Sequence, residues 1–456
     1  MPNAPGPRPL RIAIVGSGIA GLSVAHRLRG KADISLLEAG SYFGGHAHTV
    51  DVSLDGIRHG VDTGFLVYNE RTYPLLIDLF KQLQVKVAKS DMSFSVQVPG
   101  ARKGQALEWS GSNLSTVFAQ RGNLLNWRFL SMLRDLLRFN AMATHMAQEG
   151  HAAQLTQSLG AFLDQHRFGA AFRDWYLLPM VGCIWSCPTE QMLQFPVATM
   201  VRFCHNHGLL QVAQRPQWYT VQDGSRNYVE KIIGGIADKR LNTPVERVQR
   251  VHDAQGAGVM VFSQGHAERF DHVVLATHAP QSLAMLADAS PAERKVLGAM
   301  QTQANRAVLH TDTRVLPQNR AAWAAWNYER AAPSGNRSAS TPCSPSAPSQ
   351  HSNSQVCLHY LLNLLQPLPF KRSVLVSLNP VRAIDPAQVL AEFDYAHPVF
   401  DAAALQAQQA LPTLQGQGNT WFCGAWTGYG FHEDGLRSGL EVAQALSKAA
   451  VAQERV

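Results

Sequence analysis

The sequence predicts an α/β fold in which separated parts of the chain build one parallel sheet, accompanied by a second, discontinuous α+β domain. Residues 10–15 form an apolar run rich in β-branched side chains, which is typical of a buried strand. Two similar runs, 273–277 and 420–423, recur far along the chain. Between these runs the pattern changes to helical spacing, and 456 residues are enough for two domains.

A glycine-rich motif follows the first strand. Gly16, Gly18 and Gly21 form GxGxxG where that strand meets a helix. Gly16 permits the tight turn, Gly18 lets the backbone approach a pyrophosphate, and Gly21 lets the helix pack on the strand. The helix N-terminus offers N–H groups to phosphate. Glu38 ends the second strand, where a carboxylate accepts hydrogen bonds from an adenosine ribose. The motif therefore predicts a Rossmann-type dinucleotide site.

The chain after this motif resembles the flavin-containing amine oxidase and phytoene desaturase superfamily. Residues 38–46 place a Gly-Gly pair after the ribose carboxylate, and the similarity continues at 60–64, 223–225 and 244–245. It returns at residues 422–439, which in the superfamily form a strand, loop and helix over the flavin. The resemblance implies FAD as the cofactor, held in a glutathione reductase-like, Rossmann-type FAD-binding domain.

The resemblance also implies which residues contact FAD. They are Gly16, Ser17, Gly18, Ile19, Ala20, Gly21, Glu38, Ala39, Gly44, Gly45, His46, Thr63, Gly64, Val245, Gly424, Ala425, Gly435 and Leu436. Helix 435 onward is expected to direct its N-terminus at the flavin's N1–C2=O side, where the positive end of the helix dipole stabilises reduced flavin.

The domain boundaries follow from these motifs and from changes in periodicity. The FAD-binding domain is predicted to combine residues 10–71, 218–290 and 415–450. The substrate domain is predicted to combine residues 72–217, which are mainly helical, with residues 291–414.

Composition limits the function classes. Within the substrate domain, residues 331–355 are dense in Ser, Pro, Ala and Asn and predict a disordered insertion. The net charge of +7 comes from scattered side chains, so no nucleic-acid partner is expected. His46 and His48 lie on one face of a possible strand, but no third ligand has zinc-like spacing, and no metal is expected. Without a signal peptide or an apolar span, we expect a cytoplasmic protein.

One segment allows two interpretations. Residues 124–139 carry apolar side chains at helical spacing, interrupted by Arg128, Arg134 and Arg138. A basic amphipathic helix of this kind is suited to peripheral contact with a membrane. Packing of one helix face against the rest of the domain explains the same pattern.

Two residues in the C-terminal loop are the candidates for catalysis. Tyr429 matches an aromatic side chain that lines the flavin in amine oxidases, and His432 lies in the same loop. Ala425 stands where many superfamily members have an acidic residue, so the ribityl contact is expected from backbone or from Glu433 or Asp434. The strand 305–310 has no lysine at the position expected beside flavin N5, which disfavours amine oxidation.

These observations predict an FAD-dependent oxidase, dehydrogenase or desaturase that transfers a hydride from an apolar small molecule, such as a lipid, to flavin N5. Large apolar side chains at 175–180 and 184–185 support that substrate class. Three alternatives stay open: an amine oxidase, a flavin-dependent isomerase of a polyene lipid, and a flavin-binding protein without catalysis. Substrate identity, electron acceptor and oligomeric state do not follow from the sequence.

Overall fold

The structure, a computed structural model, describes residues 8–102, 104–148, 157–185, 189–211, 215–254, 256–330 and 356–453. The predicted disordered insertion, 331–355, lies outside the described residues. Four cysteines fall within the described ranges and are buried free thiols: Cys183, Cys204, Cys357 and Cys423.

The strands of the described ranges are short and largely buried on at least one face. They are β1 (Arg11–Val15), β2 (Asp33–Leu37), β3 (Thr49–Leu54), β4 (Ile57–Asp62), β5 (Tyr68–Asn69), β6 (Val87–Ser90), β7 (Phe94–Arg102), β8 (Gln105–Ser110), β9 (Trp218–Val221), β10 (Asp238–Arg240), β11 (Val245–Asp253), β12 (Gly256–Ser263), β13 (His266–Phe270), β14 (His272–Leu275), β15 (Thr302–His310), β16 (Trp326–Glu329), β17 (Cys357–Leu361), β18 (Leu375–Leu378), β19 (Val389–Pro398) and β20 (Thr420–Phe422).

The α-helices range from single turns to two long helices. They are α1 (Ile19–Leu28), α2 (Pro74–Gln82), α3 (Leu114–Val117), α4 (Trp127–Gln148), α5 (Leu159–Gln165), α6 (Ala170–Phe172), α7 (Leu178–Trp185), α8 (Thr189–Leu193), α9 (Val197–Asn206), α10 (Arg226–Ile233), α11 (Ala279–Met285), α12 (Pro291–Gly298), α13 (Leu362–Leu365), α14 (Ala402–Ala410) and α15 (His432–Gln453).

Five parallel strands form the first sheet, in the order β10-β2-β1-β14-β20. Strands from all three segments that the sequence assigned to the FAD-binding domain thus lie in one sheet. Apart from Arg11, the side chains of β1 are buried on both faces, as expected for a parallel sheet covered on both sides. The predicted α/β fold with a Rossmann-type parallel sheet is confirmed.

Two glycines let the first and last helices approach closely. A Cβ on Gly439 would lie 2.3 Å from the carbonyl oxygen of Ala20, and one on Gly435 would lie 2.8 Å from Cγ2 of Ile19. Only glycine permits backbone contact at these distances. The start of α15 is therefore held against the start of α1, beside the glycine-rich turn.

A seven-stranded sheet organises the rest of the chain, in the order β19-β15-β18-β17-β16-β7-β8. It joins strands from both segments of the predicted substrate domain. Strands β6, β7 and β8 interrupt the segment 72–217, which the sequence predicted as mainly helical. Val96 and Val98 of β7 are buried, and so are the polar Ser95 and Gln97 beside them, so burial on both faces of the sheet decides the conformation of this strand.

The helices of the substrate domain pack through aromatic side chains. Phe139 of α4 contacts Phe162, Phe168 and Phe172, with ring centroids 5.4 to 6.4 Å apart. Between α6 and α7, residues 173–177 form a π-helical turn that closes with the N–H of Leu178 donating to the carbonyl of Arg173. Pro179 follows at once, and its missing N–H and bulky ring disfavour an ordinary α-helical turn here.

Candidate cofactor and substrate site

One cavity of about 1690 Å³ joins the glycine-rich turn to the aromatic helices. Its walls include the ends of the parallel strands, part of β19 and the face of α7 that carries Met180 and Ile184. Ligands of open parallel sheets bind at the carboxyl ends of the strands, which is where this cavity begins. Its volume exceeds that of a usual single-ligand pocket and provides room for a dinucleotide and a second molecule.

The glycine-rich turn is shaped to receive an anion. The N–H of Gly16 donates to the carbonyl of Leu37 at 2.8 Å, which fixes the turn between β1 and α1. A Cβ on Gly18 would meet no atom within 4 Å, so the backbone there borders open space. No side chain caps α1, and no acidic residue lies in its first turn. These features fit a diphosphate at the helix N-terminus.

The second glycine pair closes the other side of this turn. The N–H of Gly44 donates to the carbonyl of Ser17 at 3.1 Å. A Cβ on Gly45 would lie 3.1 Å from Cα of Gly18, and its φ of +58° favours glycine. The Gly-Gly pair therefore brings two backbone segments to the same place, as the resemblance implied.

The Glu38 side chain is already oriented by neighbouring donors. Its carboxylate accepts hydrogen bonds from Ser17 N–H at 2.9 Å, from Ser17 Oγ at 2.6 Å and from Gly40 N–H at 2.8 Å. Glu38 also lines the cavity. A half-buried carboxylate held this way is positioned to accept ribose hydroxyls.

The structure brings most of the predicted FAD contacts to this cavity. Those that line it are Gly16, Ser17, Gly18, Ile19, Ala20, Glu38, Ala39, Gly45, His46, Gly64, Val245, Gly424 and Ala425. Five others lie behind its walls: Gly21, Gly44, Thr63, Gly435 and Leu436. Gly21 illustrates their role, because a Cβ there would lie 2.0 Å from the Gly16 carbonyl oxygen and would move α1 off the strand.

A buried polar network supports one wall and was missed by the sequence reasoning. The Thr63 hydroxyl lies 2.8 Å from the Tyr395 hydroxyl and 3.0 Å from Nδ1 of His48. Tyr395 lines the cavity from β19, whereas Thr63 does not. Thr63, which the resemblance assigned to FAD binding, therefore contacts the cavity wall from behind. No short-range pattern joins residues 332 positions apart.

Several histidines meet around the cofactor end of the cavity. The ring of His46 lies 5.4 Å from that of His397, and both residues line the cavity. His46 lies in a turn between Gly44 and β3, so the strand predicted for this segment is absent. Nε2 of His46 is buried and has no hydrogen-bond partner among the described residues. Such an orphaned nitrogen on the wall fits a bound group with polar edges.

Burial keeps these histidines neutral. Loss of solvation lowers the pKa of His46 well below its ordinary value, and nearby His397 lowers it further. Burial lowers the pKa of His397 to about 4, and its Nδ1 lies 3.0 Å from the Asn305 amide nitrogen. A neutral imidazole can donate or accept one proton, but the site does not favour a stored positive charge.

The two predicted catalytic residues both line the cavity. Nε2 of His432 lies 2.6 Å from the Tyr228 hydroxyl, and its ring stacks on Phe65 with centroids 3.9 Å apart. Burial lowers the pKa of His432 to about 3. Tyr429 is held through its carbonyl, which accepts from the Trp185 indole at 3.3 Å. The structure thus brings both residues to one region, with His432 firmly oriented.

Two acidic side chains proposed for the ribityl contact have other partners. The Glu433 carboxylate accepts from the N–H groups of Leu75 and Leu76 at 2.9 and 3.0 Å, at the start of α2. Asp434 accepts from the N–H groups of Tyr429 and Phe431 at 3.1 and 3.0 Å. Neither residue lines the cavity. Of the alternatives given for the ribityl contact, the geometry favours the backbone, because both carboxylates secure the loop instead.

The strand expected beside flavin N5 also lies elsewhere. Residues 305–310 belong to β15, which does not line the cavity, and the exposed Arg306 forms an ion pair with Glu392 at 2.8 Å. The neighbouring strand β19 lines the cavity instead, through residues 393–398. Arg306 therefore cannot take the place of the missing lysine.

A separate buried group holds three potential metal ligands. Donor atoms of Glu329, Cys357 and His359 lie within 4.8 Å of one another. Arg382 lies 2.7 Å from the Glu329 carboxylate, and His359 lies 3.1 Å from it. Burial opposes a charged imidazole, but Cys357 and Glu329 outweigh it and raise the pKa of His359 to about 9. A protonated His359 is an ion-pair partner, so these contacts describe a charge network.

Comparisons with known proteins agree with this geometry. Residues 19–447 match the family of flavin-containing amine oxidoreductases. The chain belongs to this family. It is therefore an FAD-dependent oxidoreductase, and the predicted superfamily, enzyme class and cofactor are confirmed. No curated protein sequence matched the chain.

Solved structures of this fold include enzymes with different substrates. One is the CLA-producing fatty acid isomerase from P. acnes, at 14% identity and a TM-score of 0.64, covering 96% of this chain and 98% of that one. A second is cyclohexylamine oxidase from Brevibacterium oxydans IH-35A, at 15% identity and a TM-score of 0.64, covering 97% of this chain and 100% of that one. A third is wild-type putrescine oxidase bound to putrescine, at 14% identity and a TM-score of 0.65, covering 96% of this chain and 98% of that one. At these identities the likeness shows a shared fold.

None of the helices in the described part of the chain combines the length and hydropathy needed to span a bilayer.

Proposed function

We propose that this FAD-dependent oxidoreductase acts on a long apolar substrate, such as a fatty-acyl lipid, bound in the aromatic end of the cavity. FAD supplies the hydride-accepting chemistry when it is bound. The chain's own residues hold the cofactor at residues 16–20 and Glu38, enclose the substrate and exclude water. The continuity of one cavity from the glycine-rich turn to the aromatic helices carries this proposal.

The walls of the aromatic end are almost entirely apolar. Side chains from β8, α3, α4, α7 and the adjoining π-helical turn line it: Trp109, Val117, Phe118, Leu133, Leu136, Tyr176, Met180, Ile184 and Trp185. Apolar contact area is the main source of affinity for a hydrocarbon chain, at about 25 cal/mol per Å² buried. A wall formed by these nine side chains suits a hydrocarbon chain better than a compact polar molecule.

Charged side chains are confined to the edges of the cavity. Its carboxylates are Glu38, Asp91, Glu246 and Asp394, and none of them is buried. An ammonium substrate in the aromatic end would lose its hydration without gaining a buried counterion, which is unfavourable. Among the described lining residues, Arg215 is the single Lys or Arg side chain. A carboxylate or phosphate headgroup is therefore favoured over an amine.

Tyr429 and His432 are the proposed catalytic residues. Both lie on the cavity wall where the C-terminal loop meets the aromatic helices. Tyr429 supplies an aromatic face that orients the substrate. His432, neutral and oriented by Tyr228, can hold or pass one proton at its free nitrogen when a substrate C–H bond is broken. The cytoplasmic location predicted from the sequence is compatible with peripheral contact with a membrane, where long acyl chains reside.

Anaerobic mixing of the FAD-loaded enzyme with detergent-dispersed unsaturated fatty acids or with primary amines tests the substrate class. We expect fatty acids to bleach the flavin absorbance and amines to leave it unchanged. Bleaching by an amine alone would overturn the proposal and favour amine oxidation. A fatty acid that is converted to an isomer without net bleaching would assign redox-neutral isomerisation.

A matched pair of variants tests the location. Leu133→Trp fills the aromatic end, whereas Ala403→Trp adds the same ring to the exposed face of α14, whose residues do not line the cavity. We expect the first variant to slow flavin bleaching while retaining FAD, and the second to behave like the wild type. Equal rates in both variants would place the substrate elsewhere.

A further inference from the structure

Exposed large hydrophobic side chains concentrate in one short segment. Of the twelve such side chains in the described ranges, six lie within residues 114–137. Leu125 is 92% exposed and Trp127 is 75% exposed. We call the six the apolar rim: Leu114, Leu124, Leu125, Trp127, Leu130 and Leu137. Single exposed apolar residues are ordinary, but a contiguous group of this kind marks an interaction surface.

The helix α4 has apolar side chains on opposite faces. Phe129, Met132 and Phe139 are fully buried against the domain. Leu130 and Leu137, seven residues apart and so on one face, point away from that core and are 42% and 58% exposed. Packing within the domain therefore accounts for one face only. The exposed apolar face of such a helix is suited to contact with another apolar surface, such as the interior of a membrane.

The charge around the rim has one sign. Residues 114–148 contain four arginines and one aspartate, which gives 4 − 1 = +3. Arg128 and Arg134 are exposed, and the guanidinium of Arg128 lies 6.0 Å from the centre of the Trp127 ring. The aspartate, Asp135, is buried and accepts from the N–H of Gly169 at 3.1 Å. Arginine beside exposed Trp and Leu is the composition of a helix at an anionic membrane interface.

The rim also borders the cavity. Leu114 and Leu137 line the cavity and are 78% and 58% exposed, so the cavity reaches the surface at these two side chains. Val117 and Leu133, beside them, continue the apolar wall inward. A hydrocarbon chain can therefore pass from an apolar phase at the rim into the aromatic end without crossing water.

We propose that the apolar rim docks on the interfacial region of a bilayer with anionic headgroups, and that lipid enters the cavity between Leu114 and Leu137. The occupant is a membrane surface because the exposed charges of the segment are uniformly basic and the rim is continuous with an apolar cavity. The lipid entry route, but not the docking itself, rests on the proposed function.

Cosedimentation of the FAD-loaded enzyme with vesicles tests the docking. We expect binding to phosphatidylcholine vesicles containing phosphatidylglycerol, weakened by salt and by omission of the anionic lipid. The double substitution Leu125→Asp and Trp127→Asp should weaken binding by about 100-fold, because two apolar side chains no longer enter the interface. Arg128→Glu with Arg134→Glu should remove the preference for anionic vesicles.

The matched control places the same acidic pair on another surface. Leu364→Asp with Leu390→Asp changes two side chains that are each 38% exposed and belong to α13 and β19, outside the segment that forms the rim. This control should bind vesicles like the wild type, and all variants should keep their flavin absorbance. Equal binding of rim and control variants, or no binding by the wild type, would overturn the docking. A dimer that the rim variant abolishes would assign the surface to a second copy.

The two proposals fail separately. Vesicle binding through the rim without flavin bleaching by lipid would retain the docking and overturn lipid oxidation. Bleaching by detergent-dispersed lipid, with no vesicle binding, would retain the oxidation and overturn the docking.

Discussion

The substitution Gly18→Val is expected to impair FAD binding while leaving the fold of the apoprotein intact. Gly18 has φ −64° and ψ 175°, which every L-residue adopts, and an added Cβ meets no atom within 4 Å. We therefore expect the apoprotein to fold, because the gain of about 0.4–1 kcal/mol from a less flexible unfolded chain is offset by the poorer fit of valine at the N-cap of α1. The same side chain would occupy the space expected for the diphosphate of FAD.

The cost to FAD binding follows from the donors that the side chain would block. Loss of two charge-assisted hydrogen bonds at the helix N-terminus amounts to about 3–6 kcal/mol, or a 10²- to 10⁴-fold weaker affinity. Gly21→Ala is the contrasting variant, because its Cβ would lie 2.0 Å from the Gly16 carbonyl oxygen. It should destabilise the apoprotein itself, by about 1–3 kcal/mol or more.

Two measurements check this pair. Quenching of FAD fluorescence on titration with apoprotein gives the affinity, and thermal unfolding of the apoprotein gives the stability. Gly298→Ala, at the end of α12 with its nearest contact at 3.8 Å, serves as the control for added side-chain volume. If Gly18→Val binds FAD as tightly as the wild type, the diphosphate does not lie at this turn. If the apoprotein of this variant is unfolded, the space beside Gly18 is not open.

Three further outcomes are expected. Glu38→Ala should weaken FAD binding by about 1.5–3 kcal/mol in the same titration, and an unchanged affinity would show that another residue contacts the ribose. Tyr429→Ala should slow anaerobic bleaching by a fatty acid while flavin absorbance persists; a rate equal to the wild type would remove Tyr429 from the site. Burial holds the pKa of His397 at about 4 against an ordinary 6.5, so the unfolded chain takes up its proton first and stability falls as pH drops from 6.5 toward 4. At pH 5 this lowers the free energy of unfolding by about 2 kcal/mol. Between pH 7 and pH 5, urea unfolding should therefore show a loss of stability in His397→Gln that is smaller than the loss in the wild type by that amount. Equal losses in the two proteins would contradict the buried neutral state.

The cofactor end of the site was largely predictable because its signals are local. Gly16, Gly18 and Gly21 act within one turn, and Glu38 follows one strand later, so spacing alone indicates their roles. The apolar runs at β1, β14 and β20 likewise predicted a sheet from separated segments. Strands β7 and β8 were not predicted because the sheet they extend is completed by the pairing of β7 with β16, a tertiary contact that overrides a weak local pattern.

The wall opposite the glycine-rich turn had no local signal. Tyr395 and His397 come from β19, and their partners Thr63 and Asn305 lie far away in the sequence. Alternation along β19 predicts that one face of the strand points away from solvent. It does not show whether that face packs against other side chains or lines a cavity. The expectation that residues 305–310 lie beside flavin N5 failed for the same reason, because the neighbouring strand β19, and not β15, lines the cavity.

The two acidic residues of the C-terminal loop show why a residue type near a cofactor does not define a contact. Glu433 and Asp434 offered the negative charge that Ala425 lacks, but each carboxylate satisfies two backbone N–H groups. Those groups belong to the start of α2 and to residues 429–431, where unpaired donors would be costly. Both carboxylates thus fix the loop that carries Tyr429 and His432. Their loss would reach the cavity through the position of that loop, even though neither side chain lines it.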